Sequence, residues 1–443
     1  MGSRKNEVEN KSNQEILSEL KNPPSPINLH LYQPPRLLNI DIGNRTGTIF
    51  DITGQTVSSK GFNYQITTES YAPLINNQIL ADKNISWNLY GVTADWLEIN
   101  QPELIENLKK QMEAGAKPPV GDTYLHIIFP FLSQDHKDML LKISKTVYKE
   151  RWGVEPETVW LPESAVDSQT LDSLAKNDFK GVHLREHQTY GSRGNIQAVS
   201  TNFGKILAIS GHNYLSGLVG FDKPWADTFF DRWHQEANNL GFAPRISIDG
   251  ETLGHWWKAQ NGVYEFTSYL LKYLKEGNEG KNLNFNTGEI FDARLVENTS
   301  WSCMDTGLGR WKGDPNCYCG LPENGWQANQ IRSSKRDLFE KLSESSYRID
   351  NILDESQSDW REIYKEWFLS QRFSLAKGLP ISADFLKDKA LEKLFISAYI
   401  RDLGWTSCGW FFGDVNGFER QIPANSLRAI AEIMSWPDIL PNS

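Results

Sequence analysis

Cysteine is scarce, with four residues in 443, and Cys303, Cys317, Cys319 and Cys408 are not spaced as two C-x-x-C pairs. That is too few for a disulfide framework, so reduced thiols are expected. The four together would satisfy a tetrahedral zinc ion, although C-x-C is an awkward chelate beside the usual spacing of about two to four intervening residues. Positive charge is in deficit too, because 46 Lys and Arg against 56 Asp and Glu leave a net charge of −10. This balance offers no electrostatic footprint to nucleic acid or to an anionic membrane. No apolar run approaches the roughly 18 residues of a membrane span, and residues 1–25 are too polar for the apolar core of a secretory signal. Asn6 stands where myristoylation requires Ser or Thr. A cytoplasmic protein with neither nucleic-acid nor membrane partner is expected; oligomeric state leaves no mark in the sequence. H-E-x-x-H and similar dense ligand runs are missing as well, so His126, His183, His187 and His212 read as hydrogen-bonded structural residues. No metal and no organic cofactor is expected.

What the chain has in excess is aromatic residues: 16 Trp, 15 Tyr and 21 Phe. Indole offers apolar faces and a polar N–H, which suits cores, interfaces and the faces of sugar rings alike.

Short apolar runs ending in a polar residue alternate with amphipathic stretches, the pattern of parallel strands in an α/β fold. Strands are predicted over Ile27 to Gln33, Thr123 to Pro130, Thr158 to Glu163, Gly181 to Glu186, Lys205 to Ser210, Arg245 to Glu251 and Phe291 to Glu297. Helices are predicted over Pro102 to Glu113, Asp135 to Lys149, Ser168 to Asn177, Trp225 to Asn239 and Tyr264 to Lys275. His30, Glu163, Glu186, Asp249, Glu251 and Glu297 all fall at strand C-terminal ends, where parallel barrels keep reactive side chains. The expected architecture is a seven-stranded parallel (β/α)7 barrel over residues 26–332, after a polar tail at 1–25. Residues 37–85, without helical period, read as an insertion on the catalytic rim. From 333 to 443, helical stretches at Lys335 to Leu353, Asp359 to Ala376, Ala383 to Leu403 and Ser426 to Met434 predict a C-terminal helical bundle.

Two segments carry candidate chemistry. V-W-L-P-E-S-A-V-D places Glu163 just past an apolar strand, and I-S-I-D-G-E-T-L-G-H-W-W places Asp249 and Glu251 at the end of another. Carboxylates from separate strands on one rim are what glycoside hydrolysis requires, one as nucleophile or base and one as proton donor. Each also has a plainer reading, as a cap on a helix N-terminus. Arg185, Glu251 and His255 are candidates to tune the pair.

The runs H-L-Y-Q-P-P-R (His30 to Arg36), W-L-P-E-S-A-V-D and D-G-E-T-L-G-H, in this order, resemble glycoside hydrolase family 57. The likeness is greatest to a branch with a helical C-terminal domain. Matches continue through S-W-N-L-Y-G-V-T-A-D-W-L (Ser86 to Leu97), T-S-W-S-C-M-D-T-G-L-G-R-W (Thr299 to Trp311) and T-S-C-G-W-F-F (Thr406 to Phe412). The resemblance implies a retaining enzyme on an α-linked glucan or oligosaccharide, of amylase or glucanotransferase type, built on a seven-stranded barrel. It implies Glu163 as nucleophile and Asp249 as general acid/base. It places His30, Gln33, Glu251, His255, Trp160, Trp301, Trp311 and Trp410 at the substrate, although Trp405 and Trp410 are of a kind more often found in a core. The family's first motif usually reads H-x-H; Asn28 replaces its first histidine here, so that end of the site has lost a chargeable group.

Two other readings compete. One is a metal-dependent polysaccharide deacetylase-like hydrolase using His30, Asp249 and another histidine around a divalent ion. The other is a catalytically silent glycan-binding protein.

Overall fold

A computed structural model of the chain describes residues 12–34, 37–41, 46–49, 61–256, 263–285, 289–304, 306–322, 325–356, 359–376, 388–411 and 421–440. The start of the polar tail, insertion residues 42–45 and 50–60, and the motif residues Arg36, Trp257, Asp305 and Phe412 lie outside the described residues.

The fold is α/β. Its strands are β1 Ile27–Leu31, β2 Leu37–Asp41, β3 Thr46–Ile49, β4 Ile85–Leu89, β5 Thr158–Trp160, β6 Gly181–Arg185, β7 Ile196–Thr201, β8 Gly204–Gly211, β9 Ile246–Asp249 and β10 Asp292–Ala293. β1 lies between β4 and β9 in a parallel three-stranded sheet. In a second sheet, β5, β6 and β8 run parallel, and β7, antiparallel to β8, leads to β10 at the edge. Single parallel bridges join the two sheets on both flanks, from Asn88 to Val120 and Gly121 to Val159 on one side and from Gly211 to Arg245 on the other. β2 and β3 form a separate antiparallel hairpin.

Strand parity positions the site. Along β1, Ile27, Leu29 and Leu31 enter a buried apolar cluster with the helix Pro102–Glu113, while Asn28 and His30 alternate onto the other face. The register then sets Asn88, His30 and Asp249 level across β4, β1 and β9, and Trp160 level with His183 across β5 and β6.

Five of the seven predicted strands form, four of them shorter than expected and β8 one residue longer at each end; two do not form as predicted. Thr123 to Pro130 is buried on all sides and reads as a strand, yet its backbone bonds to itself: Leu125 N donates to Thr123 O at 2.8 Å and Ile127 N to Leu125 O at 3.0 Å. Tyr124 sits at φ 61°, which breaks any ladder, and only Val120 and Gly121 reach neighbouring strands. The run at 291–297 shrinks to β10. Four strands were not predicted: β2 and β3, a hairpin inside the stretch read as an insertion, and β4 and β7. β4 closes the stretch read as an insertion, and β7 is the hairpin partner of β8. The insertion also holds helical turns at Gly61–Ile66, Thr67–Tyr71 and Ala72–Asn76, against the expectation of no helical period.

The five helices predicted between strands form within a few residues, including Pro102–Glu113, Gln134–Trp152 and Ser168–Lys176. Beyond them come Gly325–Ser356, Trp360–Ala376, Lys389–Gly404 and Gln421–Met434, the first beginning before the expected boundary at 333. Their apolar faces share one buried cluster with the β5–β6 region, in which Phe131 meets Phe339 at 5.0 Å and Tyr124 meets Phe368 at 5.0 Å. No helix among the described residues is long and apolar enough to cross a membrane.

Candidate active site

After β5, Pro162 has no N–H to extend the ladder, and the chain turns sharply with Glu163 at φ 56° and Ser164 at φ 46°. Consecutive left-handed residues that are not glycine are costly and concentrate at functional sites. The turn buries the Glu163 carboxylate, whose Oε2 accepts from Ser302 Oγ at 2.7 Å and from Trp301 Nε1 at 3.0 Å. Trp301 N also donates to Glu163 O at 2.8 Å, so one segment holds both ends of the residue. Burial pushes the Glu163 pKa up, while Ser302, Trp301 and the Arg310 charge oppose that rise. Glu163 is not a helix cap. Asp167 caps Ser168–Lys176, accepting from Thr170 N at 2.7 Å, and Glu297 accepts from Ser168 N at 3.0 Å.

At the end of β9, the Asp249 carboxylate has no hydrogen-bond donor among the described residues. Burial and the nearby charges of Glu251 and Glu163 raise its pKa well above the carboxylate range, opposed only by Arg185. Glu251 accepts from Gln33 Nε2 at 2.9 Å and from the Tyr71 hydroxyl. Burial nevertheless lifts its pKa to about 7. Tyr71 comes from the insertion, which is pinned beneath by Ser70 Oγ donating to Gly250 O at 2.7 Å. Gly254, at φ 142°, lies so close to the Glu69 backbone that no side chain would fit there.

Between the two carboxylates runs a buried polar chain. His30 Nδ1 meets Asn88 Oδ1 at 3.0 Å, His30 Nε2 meets His126 Nε2 at 3.1 Å, and His126 Nδ1 meets Ser407 Oγ at 2.6 Å. Burial lowers the His30 pKa to about 4 and the His126 pKa well below the ordinary histidine value, so both rings are neutral at pH 7. Asn88 Oδ1 only accepts, which orients the chain: Ser407 O–H donates to His126, His126 to His30, and His30 to Asn88. The one Ser407 proton is thereby committed to His126 and is not free for Glu163 nearby. Aromatic faces enclose this chain. Trp160 stacks between His30 at 5.2 Å and His183 at 5.3 Å, and Tyr32 stacks on His126 at 3.8 Å.

The structure gathers most of the predicted residues. Glu163, Asp249, Glu251, His30 and Gln33 converge on the rim, with Trp160 buried as floor and Trp301 half-buried beside it. Arg185 lies 5.1 Å over the Trp301 ring, its own pKa lowered by burial to about 10. His255 is tied to the insertion through Glu69 Oε2 at 2.5 Å. Three residues depart from expectation: Trp160, wholly buried with both ring faces covered by His30 and His183, and Trp311 and Trp410. Trp311 and Trp410 are wholly buried in the core, and Trp410 stacks on Trp405 with Nε1 donating to Gly404 O at 2.8 Å. None of the three presents a face to a sugar. Glu297 is spent on its helix, and Glu186 accepts from Asn213 N at 3.1 Å beside a separate cavity of about 510 Å³ lined also by His187, Tyr190 and His212. His30, Asp249 and a further histidine do not form a metal-ligating group among the described residues.

Sequence reasoning missed Asn88, His126, Ser302, Ser407 and Tyr71. Asn88, Ser302 and Ser407 lie inside runs singled out as motifs, so a signal existed; His126 was read as structural, and Tyr71 carried none. Phe221, Trp225 and Trp256 are strongly exposed, and Lys223 Nζ donates to Trp256 O at 2.7 Å, which brings their two loops together near β9.

The sequence profile of glycosyl hydrolase family 57 matches residues 5–288. No curated protein matches the chain in sequence. Among solved structures, an exo-type maltose-forming amylase from Pyrococcus sp. ST04 aligns with TM-score 0.67 at 16% identity, over 92% of this chain and 78% of that one. The alpha-amylase AmyC from Thermotoga maritima aligns at 0.61 and 13%, over 94% and 93%. A GH57-type branching enzyme from Pyrococcus horikoshii aligns at 0.54 and 13%, over 92% and 87%. At such identities the likeness is one of fold.

Proposed function

The chain belongs to glycosyl hydrolase family 57 and is an enzyme acting on glycosides, and from that premise we propose that it cleaves or transfers α-linked glucan chains with retention. The observation that carries this reading is the unequal treatment of two neighbouring carboxyls. Glu163 is held by donors that favour its ionised form, and Asp249 is flanked by charges that favour its protonated form.

Glu163 attacks the anomeric carbon as the glycosidic C–O bond breaks, and Asp249 delivers its proton to the leaving oxygen. Asp249, now ionised, takes a proton from water or an acceptor hydroxyl, whose oxygen displaces Glu163. Arg185 and Glu251 set the Asp249 proton affinity in opposite directions. Neutral His30, both of whose ring nitrogens are engaged by Asn88 and His126, is a positioning group that packs against Trp160 and Trp301 beside the cleavage point. Trp301 and the exposed rings of Phe221, Trp225 and Trp256 are the faces on which further sugar rings stack. That the aligned structures include an amylase and a branching enzyme supports α-glucan as the substrate class.

We read the two sheets and their bridges as one seven-membered parallel barrel over residues 26–332, made of β1, β4, the 120–121 segment, β5, β6, β8 and β9. Residues 333–443 are then a helical domain closing one side of the site through Ser407. The scarcity of cysteine supports a cytoplasmic location.

Product analysis against α-glucans, maltooligosaccharides and aryl glycosides tests the proposal. New shorter or longer saccharides, lost in Glu163→Gln and Asp249→Asn, are expected. An undiminished rate in Glu163→Gln overturns the nucleophile assignment, and saccharide binding without new products favours a silent binding protein.

A further inference from the structure

We propose that Cys303, Cys317 and Cys319 form a thiolate site for one zinc ion, directly behind the segment that holds Glu163. Their three sulfurs lie within 4.8 Å of one another, and Cys303 Sγ is 3.5 Å from Cys317 Sγ. Thiolates bound to a tetrahedral zinc at about 2.3 Å stand about 3.8 Å apart, so an ion fits between these sulfurs with little movement. A disulfide would need one pair to close to about 2.05 Å and would leave the third sulfur unused.

The surroundings suit a metal thiolate centre. Cys303 and Cys317 are buried and Cys319 half-buried, and Gly320, at φ 65°, turns the chain after Cys319 where a side chain would strike the Arg310 guanidinium. Three thiols release three protons to solvent as the ion binds, so zinc with three thiolates carries one net negative charge. Arg310, Arg332 and Lys335 line the same cleft as Cys317 and Cys319. Arg332 Nε donates to Cys317 O at 3.0 Å, while its Nη2 is buried with no acceptor among the described residues, a donor that a thiolate satisfies. Cys408 stands outside the group, so the fourth position is taken from solvent. C-x-C, awkward as a chelate in sequence alone, works here because Cys303 reaches the pair from another turn.

Such an ion fastens the 301–303 segment, and with it Trp301 and Ser302, to the loop leading into Gly325–Ser356. The proposal is read without substrate and stands apart from the proposed activity. Elemental analysis of the protein as isolated should find about one zinc per chain. Stripping it and adding one equivalent of cobalt(II) should give tetrahedral ligand-field bands with sulfur-to-cobalt charge transfer. Cys317→Ser and Cys319→Ser should lose the metal, whereas Cys408→Ser retains it. A protein without zinc that gives no thiolate–cobalt spectrum overturns the proposal, as does a Cys303–Cys317 disulfide in the intact mass under non-reducing conditions. If a serine variant fails to fold, the cobalt spectrum of the unmodified chain decides alone.

Discussion

On the β5 side of the rim, Glu163 accepts hydrogen bonds from Ser302 and Trp301 and feels the Arg310 charge. On the β9 side, Asp249 has no donor among the described residues and faces the charges of Glu251 and Glu163, with Arg185 as its only opposing charge. Both carboxyls leave strand ends through tight turns and both pay for desolvation. What separates them is what each neighbour offers: hydrogen-bond donors keep a buried carboxylate charged, and a second carboxylate keeps it protonated. In the proposed mechanism the same residue class thereby supplies both nucleophile and acid.

Removing either reacting group breaks the comparison most severely. Glu163→Gln should lower kcat by about four orders of magnitude or more while substrate binding persists, because no other group takes its place at the anomeric carbon. Asp249→Asn should cost about 10²- to 10⁴-fold on glucans and much less on aryl glycosides whose leaving group needs no proton. Equal losses on both substrate types would contradict the acid assignment.

Subtler variants move the limbs of the pH–rate profile. The proposed mechanism needs ionised Glu163 and protonated Asp249, so it assigns the acidic limb to the first and the basic limb to the second. Glu251→Gln removes a charge that raises the Asp249 pKa and should shift the basic limb down by about one pH unit. It should also stabilise the fold. The Glu251 pKa stands at about 7 against 4.5 ordinarily, so above pH 7 the native protein buries, unfavourably, a charge that the unfolded chain keeps in water. The gain in Tm should be full above pH 7 and vanish below about 4.5. Ser302→Ala removes the shortest donor to Glu163 and should raise the acidic limb by about half a pH unit. The two variants narrow the active range from opposite sides; shifts in the same direction would mean that the limbs are assigned to the wrong groups.

Much of this rim was legible in the sequence. Glu163, Asp249 and Glu251 each follow a short apolar run, and strand periodicity alone places them at one end of the sheets. The helices were legible because their apolar spacing is set locally. What escaped depends on distance across the fold. His126 lies in an apolar run with no mark of a special role, and it meets Ser407 only because Ile127 bridges Thr406 and Ser407 N donates to His126 O at 2.8 Å. Tyr71 reaches Glu251 from a stretch with no sequence period. Trp160, Trp311 and Trp410 were misplaced for a different reason: indole suits a core as well as a sugar face, and burial, which sequence does not record, decides between them.

The central claim is that Glu163 forms the bond to the sugar. Incubation with an activated fluoroglycoside whose glycosyl-enzyme hydrolyses slowly, followed by peptic digestion and mass spectrometry, tests it directly. The account predicts one glycosyl adduct per chain, on the peptide carrying Glu163 and absent in Glu163→Gln. An adduct on Asp249 or Glu251, or turnover with inversion at the anomeric carbon, would contradict it.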